Sequence, residues 1–106
     1  MGAVNMIFVC SPYRGDITRN IENAKRYCKI VVKAGKIPIA PHLYFPQFLD
    51  DTDPADRKKG IISGLVLMKY CTEVWVFGNE ITDGMRQEID FAESEGIKIK
   101  YISEMG

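Results

Sequence analysis

Long apolar runs are what this sequence most plainly lacks. The longest, Met6–Cys10, falls far short of the roughly 18 to 20 residues of a membrane-spanning helix, so no span is expected. Met1-Gly2-Ala3-Val4-Asn5 has no basic stretch leading into an apolar one, so no secretory signal is read there. Net charge is missing as well, because 14 Lys and Arg balance 14 Asp and Glu. That balance argues against nucleic-acid binding, which calls for a basic surface. Histidine occurs once, as His42, and Cys10, Cys28 and Cys71 stand at no metal-ligand spacing, so no metal site is expected. Each cysteine has apolar neighbours, which reads as buried, reduced thiols in a cytoplasmic protein. A nucleophilic Cys10 at a strand end is the alternative. Walker loop, G-x-G-x-x-G, zinc signature and G-x-S-x-G elbow are all absent. The common triphosphatase, dinucleotide and serine-hydrolase readings go with them, and no cofactor is expected.

What remains is an ordinary globular composition, 46% apolar and 26% charged. The 106 residues read as one domain, able to bury roughly two-thirds of their unfolded surface. Charge is unevenly spread. Residues 14–36 hold seven basic side chains (Arg14, Arg19, Lys25, Arg26, Lys29, Lys33 and Lys36) against Asp16 and Glu22. A solvated helix face explains this, and a partner-binding patch is the sharper alternative.

Apolar periodicity places the elements. Met6–Cys10 is a continuous apolar strand, as in a sheet covered on both faces. Ser11–Asp16 is a loop broken by Pro12 and Gly15. Ile21, Ala24, Cys28 and Val31 recur at helical spacing from about Thr18 to Ala34, and Gly35 ends that helix. Lys36–Ala40 is a second strand, placed at the sheet edge by Pro38, which has no N–H to donate. Pro41–Thr52 is irregular and aromatic. Asp53 caps a helix with Pro54 at its first position, running to about Tyr70. Glu73–Phe77 is the third strand, Asp83 or Gly84 to Glu95 the last helix, and Ile97–Ile102 the fourth strand, with Gly96 between them. Strict alternation of strand and helix predicts a three-layer, Rossmann- or flavodoxin-like α/β domain. Its parallel sheet has about four strands in the order 2-1-3-4, flanked by helices.

In such a sheet, ligands bind at the carboxyl ends of the strands, beside the helix N-termini. Two loops fall there. The first offers Ser11, Tyr13, Arg14 and Gly15 ahead of a helix start, a set suited to an anion such as phosphate. A plain turn with a solvated arginine is the alternative. The second, Gly78–Gly84, has glycine at both ends. There Gly84 lets a ligand approach the backbone and Asp83 caps the helix. Glu88 follows about one turn into that helix, at the ligand edge; an ordinary surface glutamate is the plainer reading. His42, Tyr44 and Phe45 offer a surface that stacks a nucleobase or closes over it, or merely a structural aromatic loop. Gly60 and Gly64 lie one turn apart on one helix face and admit a ligand or, more plainly, a neighbouring subunit.

Ile7–Gly15 together with the strand–loop–helix from Glu73 to Ala92 resembles the nucleoside 2-deoxyribosyltransferase-like superfamily. The likeness is closest to its small bacterial and phage branch and spans roughly Met6 to Ile102. The first-loop aromatic and the segment Gly84–Ile89 occur in the family's order. The resemblance implies that Glu88 attacks the anomeric carbon of a deoxynucleoside or deoxynucleotide, and that Tyr13 orients or supports it. It implies that Asp83 and Gly84 contact sugar or 5′-phosphate, and that the chain forms a homo-oligomer. Double displacement through a glutamate follows the logic of retaining glycosidases, in which an acid also protonates the leaving group. The family's aspartate on the helix before the third strand has no counterpart in Gly60–Leu65, and Asp56 lies about two turns earlier.

The leading expectation is therefore an enzyme acting on the N-glycosidic bond of a small nucleoside or nucleotide, with Glu88 and Tyr13 catalytic. Ser11, Arg14, Gly15, His42, Gly78, Asp83 and Gly84 are expected to bind the substrate. A non-catalytic module that senses or sequesters a nucleotide-derived ligand is the alternative. A third reading is an interaction protein working through its basic first helix.

Overall fold

The computed structural model describes residues 5–103, so the signal-peptide reading made on Met1–Asn5 lies, but for Asn5, outside them. The elements run β1 (Met6–Cys10), α1 (Ile17–Lys33), β2 (Ile37–Ile39), a short α2 (Pro41–Tyr44), a 3₁₀ turn (Phe45–Gln47), α3 (Pro54–Met68), β3 (Glu73–Val76), α4 (Asp83–Ser94) and β4 (Lys98–Tyr101). All strand pairs are parallel, in the expected order β2-β1-β3-β4. Pro38 sits on the edge strand β2, opposite Ile7. Among the described residues no helix is long and apolar enough to cross a membrane.

The central strands are buried on both sides, which is why they read as unbroken apolar runs. Side chains alternate across the sheet. Phe8, Cys10, Val74 and Val76 join Met68 of α3 and Met85, Ile89 and Ala92 of α4 in one core. Ile7, Val9, Trp75 and Phe77 face the other way, onto Tyr27 and Val31 of α1. Tyr27 stacks on Phe77 with ring centroids 4.5 Å apart. Trp75 is a core residue: its Nε1 donates to Glu73 Oε1 at 2.9 Å, and Lys100 lies over its ring. Arg19, Lys25, Arg26, Lys29 and Lys33 of α1 are exposed, which agrees with the solvated-face reading of the basic stretch.

Four details correct the expectation. Pro41–Thr52 is not wholly irregular, since Pro41 and Pro46, with φ fixed by their rings, start α2 and the 3₁₀ turn. The cap of α4 is Thr82, whose Oγ1 accepts from Met85 N at 3.2 Å, while Asp83 is the first helical residue. Gly60 and Gly64 face the same chain. A Cβ at Gly64 would stand 3.4 Å from Pro41, and one at Gly60 3.6 Å from Leu49, so these glycines seat the α2 segment against α3. Cys28 is half-buried, whereas Cys10 and Cys71 are buried; all three are free thiols.

Candidate functional site

Cys10 and Val76 are register partners at the carboxyl ends of β1 and β3, so the loops after these strands leave the sheet side by side. They touch. Gly78 has φ +102°, and a Cβ there would come within 3.2 Å of the Pro12 ring. Beside these loops opens a cavity of about 420 Å³, within the range of small-molecule sites. The loop after β1, the α2 segment, α3 and the start of α4 wall it. Ser11, Tyr13, Arg14, Gly15, His42, Asp83, Gly84 and Glu88 all border it. Gly78 does not, and its place in the structure is loop-to-loop packing.

Glu88 points inward because it shares the spacing of Met85, Ile89 and Ala92, the buried stripe of α4. The residue keeps contact with the cavity, but protein crowds its carboxyl group. Burial pushes its pKa from 4.5 up to about 7, against a hydrogen bond from the Cys10 thiol that works in the opposite direction. Cys10 Sγ also lies 3.9 Å from the Met85 carbonyl oxygen. Burial first, and then Glu88, push the Cys10 thiol far above its ordinary value. A nucleophilic thiol needs the opposite shift, so the alternative reading of Cys10 is set aside.

His42 reaches the cavity because Pro41, at the start of α2, packs against the Cβ-less face of Gly64. Its Nε2 lies 2.7 Å from Ser11 Oγ. Burial lowers the imidazole from 6.5 to about 4, so it is neutral at neutral pH. Tyr13 is half-buried, and its phenol is raised by burial and then by the nearby Asp51 carboxylate. Asn20 Nδ2 donates to the carbonyls of Tyr13 (3.0 Å) and Arg14 (3.1 Å), tying the first loop to α1. The N-terminus of α1 is capped by Asp16, which accepts from Arg19 N at 3.2 Å.

Three charged residues at the cavity lay outside the expected set. Arg14 Nε pairs with Asp51 Oδ2 at 3.0 Å, and Arg57 Nε stands 4.0 Å from Asp51 Oδ1. Asp56 also borders the cavity, with its Oδ2 accepting from Asp50 N at 3.0 Å. The Asp53-Pro54 start signal located the first turn of α3, where Asp56 and Arg57 lie. Nothing in the sequence signals that residues 50–53 fold back toward Arg14. Phe45, Leu49, Ile61 and Leu65 supply an apolar wall. Among the described residues no group of three or more His, Cys, Asp or Glu is arranged to hold a metal ion.

No curated protein matches this sequence. Among solved structures, the 2-deoxyribosyltransferase of the psychrotolerant bacterium Bacillus psychrosaccharolyticus is similar, with a TM-score of 0.73 and 13% identity. The match covers 95% of this chain and 76% of that one. The two share a fold: the α/β architecture with the 2-1-3-4 parallel sheet is that of the 2-deoxyribosyltransferases. A family model described as a domain of unknown function (DUF7768) matches residues 5–102, and the chain belongs to that family.

Proposed function

We propose that this protein cleaves or transfers the N-glycosidic bond of a 2′-deoxynucleoside or its 5′-monophosphate, with Glu88 as nucleophile. The observation that carries this reading is the Glu88 carboxyl group, turned inward from α4 onto a nucleoside-sized cavity at the carboxyl edge of a 2-deoxyribosyltransferase-like sheet. Attack of Glu88 on the anomeric carbon expels the base and forms a glycosyl-enzyme, which water or a second base then resolves. Tyr13 borders the same cavity as the nucleophile, and the apolar wall is suited to the base. Ser11, Arg14, Gly15, His42, Asp83 and Gly84 contact sugar, phosphate or base. The chain acts as a single cytoplasmic domain that assembles as a homo-oligomer.

The raised pKa of Glu88 has a direct consequence. Only the ionised carboxylate attacks, so activity should rise about tenfold per pH unit below 7 and level off above it. The decisive test is incubation with each deoxynucleoside and deoxynucleoside monophosphate, with free base measured by chromatography. Wild-type protein should release base, and Glu88→Ala should lose the activity by several orders of magnitude. Unchanged release in Glu88→Ala ends this mechanism. Ligand-induced stabilisation of wild type without any product would mean binding alone.

A further inference from the structure

We infer that Ser11 and His42 form a proton relay that activates the water resolving the glycosyl-enzyme. The inference rests on the N-glycosidic reading and names the proton acceptor that reading leaves unassigned. Two side chains 31 residues apart meet at 2.7 Å on the wall of the Glu88 cavity. Ser11 and the proposed nucleophile Glu88 line the same cavity, so the relay faces the space in which the glycosyl-enzyme would form. Ser11 is only 6% exposed yet borders the cavity. Among the described residues neither side chain has another hydrogen-bond partner, so the hydroxyl retains bonding capacity toward whatever fills the cavity.

The surroundings favour this pair over a carboxylate. Pro41, the residue that carries His42 in, packs directly against Gly64 of α3. Asp51 is engaged by Arg14 and Arg57, and Asp56 by the Asp50 amide. His42 is neutral at neutral pH, so its Nε2 can face Ser11 with a lone pair, while the burial that lowers its pKa makes the imidazolium short-lived.

The chemistry balances. In the first step a Glu88 carboxylate oxygen bonds to the anomeric carbon as the C–N bond breaks, and the electron pair leaves with the base. In the second, water attacks that carbon as its bond to Glu88 breaks, returning the pair to the carboxylate. The water proton moves to Ser11 Oγ while the Ser11 proton moves to His42 Nε2. The imidazolium so formed is acidic and returns its proton through Ser11 to the departed base. One water is consumed, and free base and free sugar are formed. Ser11 is the contacting group, and His42 acts through it as a positioning residue and proton acceptor.

The test separates the two half-reactions. Rapid-quench base release and intact-mass spectrometry during turnover are compared for wild type, His42→Gln and Ser11→Ala. Glutamine keeps a hydrogen bond to Ser11 but cannot take up a proton. In both variants the steady-state rate should fall about a hundredfold more than the first-turnover burst of base, and an adduct of one deoxyribosyl unit should accumulate on the protein. Wild-type turnover in either variant overturns the relay. So does a parallel fall of burst and turnover with no adduct, which would place the pair in the first step or in the scaffold. Should His42→Gln not fold, Ser11→Ala, which removes one oxygen, decides alone. A wild type that releases no base overturns the N-glycosidic reading and the relay with it. A wild type that does, beside variants that resolve the adduct normally, overturns the relay only.

Discussion

Glu88 and His42 act on stability in opposite directions with pH. The folded pKa of Glu88, about 7 against 4.5, is raised, so its contribution is complete below pH 4.5 and is lost as pH rises through 7. The folded pKa of His42, about 4 against 6.5, is depressed, so its contribution is complete above pH 6.5 and is lost as pH falls through 4. At about 1.4 kcal/mol per unit each effect is of order 3 kcal/mol, and between roughly pH 4.5 and 6.5 they nearly cancel. Chemical denaturation across that window should therefore show Glu88→Gln gaining stability as pH rises and His42→Gln losing it. At pH 8, Glu88→Gln should be more stable than wild type by up to about 3 kcal/mol, the pattern of a residue kept for chemistry at a cost in stability. A flat profile for His42→Gln, the variant that leaves only Glu88 to titrate in this window, would show that the carboxyl is not desolvated. That Glu88 lies about one turn into α4, at the ligand edge of the sheet, was legible from the strand–loop–helix pattern; that it faces inward beside Met85, Ile89 and Ala92 came from the structure. The meeting of Ser11 with His42 was not, because nothing local relates two residues on separate elements.

Among the elements, caps and glycines give the sharpest expectations. Thr82 alone caps α4 through its hydroxyl, so Thr82→Ala should cost about 1 kcal/mol in a denaturation experiment, while Asp83→Ala should cost less. Gly60 has ordinary helical geometry, and a Cβ there would meet Leu49 at an unstrained 3.6 Å. Gly60→Ala should accordingly stabilise α3 by about 0.5–1 kcal/mol, since alanine loses less backbone entropy in a helix. A marked loss of stability would mean that the α2 segment needs a closer seat than its distances indicate. Gly78→Ala should do the reverse, because φ +102° and the Pro12 ring at 3.2 Å both oppose a side chain. Helix ends were readable because capping is local: Asp53-Pro54 and Gly96 stand where expected. The α2 helix and the 3₁₀ turn after it escaped, being too short to show a period, and the cap of α4 proved to be Thr82, one residue before Asp83.

For the molecule as a whole, the outer face of α3 bears on assembly. Ile62 (51% exposed), Val66 (50%) and, two residues past the end of α3, Tyr70 (72%) stand at four-residue spacing, an apolar stripe on a chain with no net charge. Sedimentation at micromolar concentration should find wild type as a dimer or larger and Val66→Glu shifted toward monomer, with helix content unchanged. A monomeric wild type removes the homo-oligomer from the proposal. The sequence by itself determined the strand–helix alternation, the edge place of Pro38, the Asp53 cap of α3 and the place of Glu88 early in α4. Each of these follows from backbone geometry and from the burial of periodic apolar residues, which act over a few neighbours. Only the tertiary structure decided that Gly64 receives Pro41, that Asp51 joins Arg14 to Arg57, and that Ser11 meets His42. Those contacts depend on how the segment between β2 and α3 folds back over the sheet, and packing between elements distant in sequence leaves no period to read.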